Sequence, residues 1–300
     1  MLSVSFWGVR GSIPCPGGET VEFGGNTSCL EIRADQRLVI VDLGTGSRLL
    51  GDSIVRRKDC ESIDIFITHT HWDHIMGFPM FAPLFDSNAN LRIRGPVSFN
   101  DDTLEAIIGA QLSYRYWPVR QSELSAHIEY EELKETTLDL GGGLSVTTKY
   151  LNHPILCLGY RFEYQGKSIV TAYDHEPFRN LFPTDSADPQ YDASAASEGE
   201  AAAQEENEKI LRFFSGADVL VHDAQYTAQE FDKHLGWGHS CLEHVIDSAS
   251  RARVKKLALF HHDPSRTDEQ LTALEAKYIR ENTNPDLSIV AAREGFTIEA

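Results

Sequence analysis

The sequence predicts a mixed α/β chain in which two β-sheets are flanked by helices. Strand-like runs occur in both halves of the 300 residues, and helical stretches are interspersed among the later ones. No composition break marks a linker, so residues 1–300 read as a single domain. A content of 41% hydrophobic and 24% charged residues is enough for a full-sized core and argues against disorder.

The elements follow in order. Leu2–Val9 reads as a strand that meets the turn Arg10-Gly11-Ser12-Ile13-Pro14. The Gly-rich loop Phe23-Gly24-Gly25-Asn26-Thr27-Ser28 leads to strands Cys29–Arg33 and Arg37–Asp42, which complete a meander. Leu43-Gly44-Thr45-Gly46-Ser47 then feeds a short helix. Ser62–Thr68 alternates and ends in β-branched and aromatic residues, as a buried strand does. Residues 91–150 mix strands with a helix near Asp102–Leu112 and the aromatic stretch Tyr114-Arg115-Tyr116-Trp117-Pro118. Strands return at Leu144–Leu151, Leu156–Tyr164, Ser168–Tyr173 and Ala217–His222, with helices near 200–214, 241–252 and 267–281. An acidic insertion spans about 178–210. Within it, Asp185–Glu208 holds eight acidic residues and no basic one, and reads as a solvated surface loop running into an acidic helix over Glu200–Phe214.

Composition also limits function. No run of 18 apolar residues exists, so no membrane span is predicted. The N-terminus reads directly as a strand and lacks the regions of a signal peptide. The five cysteines (Cys15, Cys29, Cys60, Cys157, Cys241) are scattered and include no CxxC, as expected of free thiols in a reducing cytoplasm. Twenty-seven basic against 45 acidic residues give a net charge of −18, which disfavours a long polyanion such as large nucleic acid. A small phosphate ester stays within reach, because bound metals supply positive charge locally.

The densest chemical signal is His69-Thr70-His71-Trp72-Asp73-His74, four candidate metal ligands within six residues at the mouth of a strand. Imidazole and carboxylate suit Zn²⁺ and its neighbours, and this spacing aims several donors at one small volume. Other candidates share one place in the pattern, at the C-terminal end of a predicted strand: His153, Asp174, His222-Asp223 and His261. Any one of these alone is more often an ordinary loop residue. Their repetition beside the His-rich loop points to one rim on which rigid strands hold them.

His69-x-His71-x-Asp73-His74 resembles the signature of the metallo-β-lactamase superfamily, and the later His, Asp and His follow in that family's order. The likeness is greatest to its phosphodiesterase branch, which includes the transfer-RNA 3′-end endonuclease tRNase Z and bacterial cyclic-nucleotide phosphodiesterases. Phe6-Trp7-Gly8-Val9-Arg10-Gly11-Ser12 with Gly24-Gly25-Asn26-Thr27-Ser28 is similar to the N-terminal loops of small bacterial members. Val221-His222-Asp223-Ala224 resembles the endonuclease's His-Glu-Ala-Thr element, and Gly238-His239-Ser240 its His-Ser-Thr element, with Cys241 in place of Thr.

The resemblance implies a four-layer αββα sandwich with two divalent ions at one edge, Zn²⁺ first and Mn²⁺ or Fe²⁺ as alternatives. It implies that His69, His71 and His153 hold one ion, that Asp73, His74 and His261 hold the other, and that Asp174 bridges them. His261 is preferred to His262 because it fits the family's strand-then-His pattern, and adjacent strand residues point to opposite faces. Asp42 matches a buried Asp that braces the metal loop. In the implied chemistry Asp73 orients the nucleophile, His239 protonates the leaving alkoxide, and Asp223 holds the His239 ring. Ser240-Cys241-Leu242-Glu243 reads as a capping box that would set His239 just before a helix. His175, His234 and His244 have weaker claims, and His127 and His222 read as structural.

The expected function is a metal-dependent hydrolase, first a phosphodiesterase for a small substrate such as a cyclic nucleotide. Tyr114, Tyr116 and Trp117 would stack on its base or else pack in the core or a dimer. The alternative is a tRNase Z-like endoribonuclease. Beyond it stand a carbonyl-ester, lactone or β-lactam hydrolase and a catalytically inactive metal-binding protein. Homodimers are common among such relatives.

Overall fold

A computed structural model describes residues 1–59, 61–97 and 102–300. Cys60, among the expected free thiols, lies outside the described residues; Cys15, Cys29, Cys157 and Cys241 are free. The first part of the chain supplies β1 (Leu2–Gly8), β2 (Cys29–Ala34), β3 (Arg37–Val41), β4 (Ile63–Phe66), β5 (Asn90–Pro96) and β6 (His127–Leu133). The second supplies β7 (Thr137–Gly141), β8 (Leu144–Leu151), β9 (Cys157–Tyr164), β10 (Lys167–Ala172), β11 (Val219–Asp223), β12 (Lys256–Phe260) and β13 (Ser288–Ala291). A last strand, β14 (Thr297–Glu299), returns to pair antiparallel with β1.

Among the described residues these form two seven-stranded sheets, ordered β14-β1-β2-β3-β4-β5-β6 and β13-β12-β11-β10-β9-β8-β7. Each sheet is half meander and half parallel. The ladders β3–β4, β4–β5 and β5–β6 are parallel in the first sheet, as are β10–β11, β11–β12 and β12–β13 in the second. Parallel neighbours need a crossover, and the chain crosses over through helices on the outer faces.

The period-two burial shows how the layers stack. In β3, Val39 and Val41 face the other sheet, whereas Leu38 and Ile40 face helices; in β11, Val219 and Val221 face inward and Leu220 outward. Strands apolar on both faces belong in the middle of a layered stack. On the outside of the first sheet lies α1 (Gly46–Arg57), with α3 (Leu104–Gly109), through Leu50, Ile54 and Ile108. Outside the second sheet lie α4 (Ala193–Phe214), α6 (Leu242–Arg251) and α7 (Asp268–Glu281), through Phe214, Val245 and Tyr278, and the single turn α5 (Ala228–Phe231) falls between α4 and α6 in the chain. The order is helix, sheet, sheet, helix: the αββα sandwich of the metallo-β-lactamase fold.

Two local expectations are corrected. The acidic helix begins at Ala193 rather than Glu200, because the Asp192 carboxylate accepts the Ser194 and Ala195 N–H groups at 2.8 and 2.9 Å. Much of the expected loop is therefore helix, seated on the second sheet by Ala203, Ile210, Phe213 and Phe214. The Ser240–Glu243 capping box does not form. Cys241 is the N-cap and makes no side-chain capping bond, while Glu243 accepts the Tyr278 hydroxyl and the Ala228 N–H. No helix among the described residues is long and apolar enough to cross a membrane.

The two sheets meet through aromatic rings, with Phe66 of β4 edge-on to Tyr160 at 5.1 Å and to Phe162 at 5.6 Å between centroids. Phe66→Ala is expected to lower unfolding free energy by about 3–5 kcal/mol. Urea denaturation measures this, and a loss below ~1 kcal/mol would contradict sheet-to-sheet packing through this ring.

Candidate metal centre

The C-terminal ends of the parallel strands open on one edge of the sandwich, where the backbone leaves the ladder and side chains are free to converge. The chain leaves β4 through Ile67 and Thr68 into the His-rich loop, and the single turn α2 (Trp72–Ile75) carries Asp73 and His74. Asp42, just past β3 and fully buried, ties this loop down. Its carboxylate accepts the Thr68 N–H at 2.7 Å, the Thr68 hydroxyl at 2.9 Å and His74 Nδ1–H at 2.7 Å. The bond at Nδ1 leaves His74 Nε2 facing the cluster.

Two groups of donors form there, and a third, Asp174, His239 and His261, overlaps them. His69 Nε2 and His153 Nε2 each lie 3.0 Å from His71 Nδ1. Asp73 Oδ2 lies 3.2 Å from His74 Nε2 and 3.1 Å from His261 Nε2, and the two Nε2 atoms are 3.3 Å apart. Asp174, two residues past β10, reaches both groups. Its Oδ2 is 3.7 Å from His69 Nε2 and 3.9 Å from His153 Nε2, while its Oδ1 is 3.1 Å from His261 Nε2. All seven predicted ligand residues are thus brought together. His262 turns away to donate from Nε2 to the Ala292 carbonyl.

Charge and burial within the cluster are matched. Burial works against ionising Asp73 and Asp174, yet nearby His74 and His261 hold both carboxylates below their usual range. Burial likewise favours neutral imidazole at His69, and His153 is pushed down to about 4. Neutral imidazole, as at His69 and His153, is the donor state that a divalent cation requires; His74, which Asp73, Asp174 and Asp42 raise well above its usual range despite burial, would have to give up a proton to serve as one. The Asp174 Oδ1 and His261 Nδ1 atoms are buried without a hydrogen-bond partner.

The backbone closes tightly around the cluster. The Ser12 N–H donates to Asp73 Oδ2 at 2.7 Å. A Cβ on Gly11 would lie 2.4 Å from His261 Nδ1, so this turn approaches the ring only as glycine. His153 Nδ1–H donates to the Gly238 carbonyl at 3.0 Å. Neither Gly11 nor Ser12 carries a ligand-type side chain, and their site roles come through backbone and close approach, which residue type does not announce.

His239 enters from the turn before α6. Its Nδ1 lies 3.6 Å from Asp223 Oδ2 and 3.7 Å from Asp174 Oδ2, ion-pair distances longer than a hydrogen bond. Burial opposes charge on this ring, but Asp174 and Asp223 outweigh it and raise its pKa. Asp223, at the end of β11, is aimed by the Ser240 N–H at 2.8 Å and the His175 N–H at 3.2 Å.

The remaining histidines sit apart from the donor groups. His222 bonds the Asp223 carbonyl, His244 contacts Ser248, His234 stacks on Tyr226, and His127 is exposed. His175 is buried and accepts the Asn152 N–H. A cleft of about 250 Å³ adjoins His153 and is lined by Phe178, Arg179, Leu181, Gly236 and Gly238 among others. Tyr114, Tyr116 and Trp117 are not in its lining. Tyr114 and Tyr116 are exposed, and Trp117 packs on the outer core of the first sheet.

Comparisons with known proteins agree with this fold. Residues 23–92, which include the His-rich loop, match the Metallo-beta-lactamase superfamily. A ribonuclease Z from Lactococcus lactis subsp. lactis is 29% identical over 269 residues, covering 79% of this chain and 83% of that protein. The metallo-beta-lactamase fold protein YhfI from Bacillus subtilis superposes with a TM-score of 0.66 at 18% identity, over 100% of this chain and 99% of its own. A diphosphatase of the PhnP family superposes with a TM-score of 0.63 at 14% identity, over 100% and 98%. The matched loop, the αββα layers and the convergent donors lead to one conclusion: the chain is a metal-dependent hydrolase of the metallo-β-lactamase fold, with a superfamily match over residues 23–92 and ribonuclease Z among its sequence relatives.

Proposed function

We propose that this hydrolase cleaves the phosphodiester bond of a small substrate, such as a cyclic nucleotide, at a two-metal centre. His69, His71 and His153 would hold one ion, Asp73, His74 and His261 the other, with Asp174 shared. The donor set fits. Tetrahedral coordination with bonds of about 2.0–2.1 Å sets ligand atoms roughly 3.3 Å apart, close to the 3.0–3.3 Å nitrogen separations here. Nitrogen and carboxylate oxygen without thiolate suit Zn²⁺, then Mn²⁺ or Fe²⁺.

When bound, such a pair supplies Lewis-acid polarisation and a nucleophile competent near neutral pH. The protein's own groups supply the rest. The observation that carries the phosphodiester reading is His239, set between Asp174 and Asp223 beside the cluster. Alkoxide is a poor leaving group near pH 7, and an imidazolium whose charge two carboxylates favour has a proton to give it. Asp223 would hold the Nδ1 side of the ring and leave Nε2 for the leaving oxygen. Asp73, fixed by the Ser12 N–H, would orient the nucleophile or accept its proton.

Two features favour a small substrate. The cleft beside His153 offers apolar surface from Phe178 and Leu181 with a single cation, Arg179, and its volume suits one small organic group. The charge of −18 opposes a long polyanion. A second reading, cleavage of RNA, draws on the ribonuclease Z name of the relatives and uses the same chemistry.

Three outcomes are expected. His239→Ala should slow release of an alkoxide by about 100-fold or more and release of p-nitrophenolate only a few-fold. Equal losses on both leaving groups would remove His239 from proton transfer. Chelation should abolish turnover and Zn²⁺ should restore it, with two ions bound per chain by metal analysis. His153→Ala or His261→Ala should each bring that to one, and unchanged stoichiometry in either variant would break the ligand assignment. Turnover of a cyclic nucleotide should change little between about 50 and 200 mM salt, with weak RNA binding throughout. Tight, salt-sensitive RNA binding with cleavage would select the second reading.

A further inference from the structure

We infer that Glu176 is a positioning residue for this centre. It fixes the Gly236–His239 turn, so that one backbone segment sets both His153 and His239. The inference rests on the roles proposed above for those two histidines.

Glu176 lies two residues beyond Asp174, and its side chain is only 4% exposed. Its Oε2 accepts the Gly236 N–H at 2.8 Å and the Gly238 N–H at 3.0 Å, and Oε1 lies 3.0 Å from the same Gly236 nitrogen. Both glycines have positive φ, +85° and +82°, a conformation that lets the turn offer two N–H groups to one carboxylate.

The held turn then acts in two directions. The Gly238 carbonyl accepts His153 Nδ1–H, which leaves Nε2 facing His71. The ring also touches the turn, since a Cβ on Gly238 would lie 2.1 Å from His153 Nδ1. The next residue is His239, and its neighbour Ser240 donates to Asp223. Glu176 is tied to the loop of His153 as well. Its N–H donates to the Asn152 carbonyl at 2.9 Å, and its own carbonyl accepts from Asn152 Nδ2 at 3.0 Å. Three loops carrying His153, Asp174 and His239 are therefore joined at one residue, the first through its backbone and the last through its carboxylate.

Burying a carboxylate is unfavourable, and its one cationic neighbour among the described residues is Arg179, with Nε at 3.6 Å and 48% exposed. Water would satisfy the N–H groups of an ordinary exposed turn without this cost. A buried acceptor gives instead a turn with one conformation, which donor atoms at ligand spacing require.

The test uses full-length, Zn²⁺-loaded protein with Glu176→Ala and Glu176→Gln. Gln keeps one oxygen able to accept both N–H groups, whereas Ala keeps none. The first readout is the rate of Zn²⁺ loss to a chelator. The second is the turnover ratio of a cyclic nucleotide to bis-p-nitrophenyl phosphate, which reports proton donation separately from the metals. Ala is expected to lose metal about tenfold faster and to lower the ratio by about tenfold, with Gln recovering most of both. Wild-type metal retention and ratio in the Ala variant, with only a lower melting temperature, would overturn the inference. Should Ala not fold, Glu176→Asp decides, since its carboxylate is one methylene shorter: a two- to threefold change in both readouts is expected, and no change in either would overturn the inference. If wild-type protein turns over neither diester, the phosphodiesterase reading fails, and the chelator comparison still decides the role of Glu176.

Discussion

The constraint on which the rest of the site depends is the buried carboxylate of Asp174, lodged between two sets of imidazoles at the meeting edge of the sheets. A charge with 2% exposure is tolerable only where cationic or donor groups surround it on several sides. Here they arrive from both sheets. His69 and His74 follow β4 of the first sheet, while His153, His239 and His261 follow β8, β11 and β12 of the second. The sandwich and the centre therefore require each other: the core holds the sheets in register, and the edge gathers the charges that only such a register can pair.

A surrounding layer of contacts makes the gathering specific. Asp42 turns His74 and Gly238 turns His153, each through a bond to the ring nitrogen that does not face the cluster, while the Ser12 N–H steadies Asp73 at the carboxylate oxygen that does. Such outer bonds select the tautomer and orientation of each ring and so set which atoms point inward. Strand ends supply the coarse placement and backbone contacts the fine one. His239 differs from the others. It stands at ion-pair distance from two carboxylates, which favour the protonated ring and so suit the proton transfer proposed for it.

Much of this was legible in the chain itself. The strand runs were marked by β-branched residues, and the helix expected near 267–281 corresponds to α7, because both signals are local. The donors of the His-rich loop were legible because four of them crowd six residues. His153, Asp174 and His261 were legible because each follows a strand. Less visible were the start of α4, set by one Asp192 cap beyond the expected boundary, and the short strands β13 and β14, whose few residues carry no clear period. Glu176 gave no signal, since one acidic residue among 45 reads as surface until its burial is known.

The sequence by itself determined the layered α/β class, the donor types and their positions at strand ends, because alternation and local clustering survive in one dimension. Only the tertiary structure decided that donors separated by up to 188 positions, as Asp73 and His261 are, stand 3.1 Å apart. It also decided which ring nitrogen each histidine presents and that Glu176 rather than a capping box governs the approach to His239. The reason is physical. Distances between strand ends, and the backbone groups that orient side chains there, arise from the packing of two sheets and belong to no single segment of the chain.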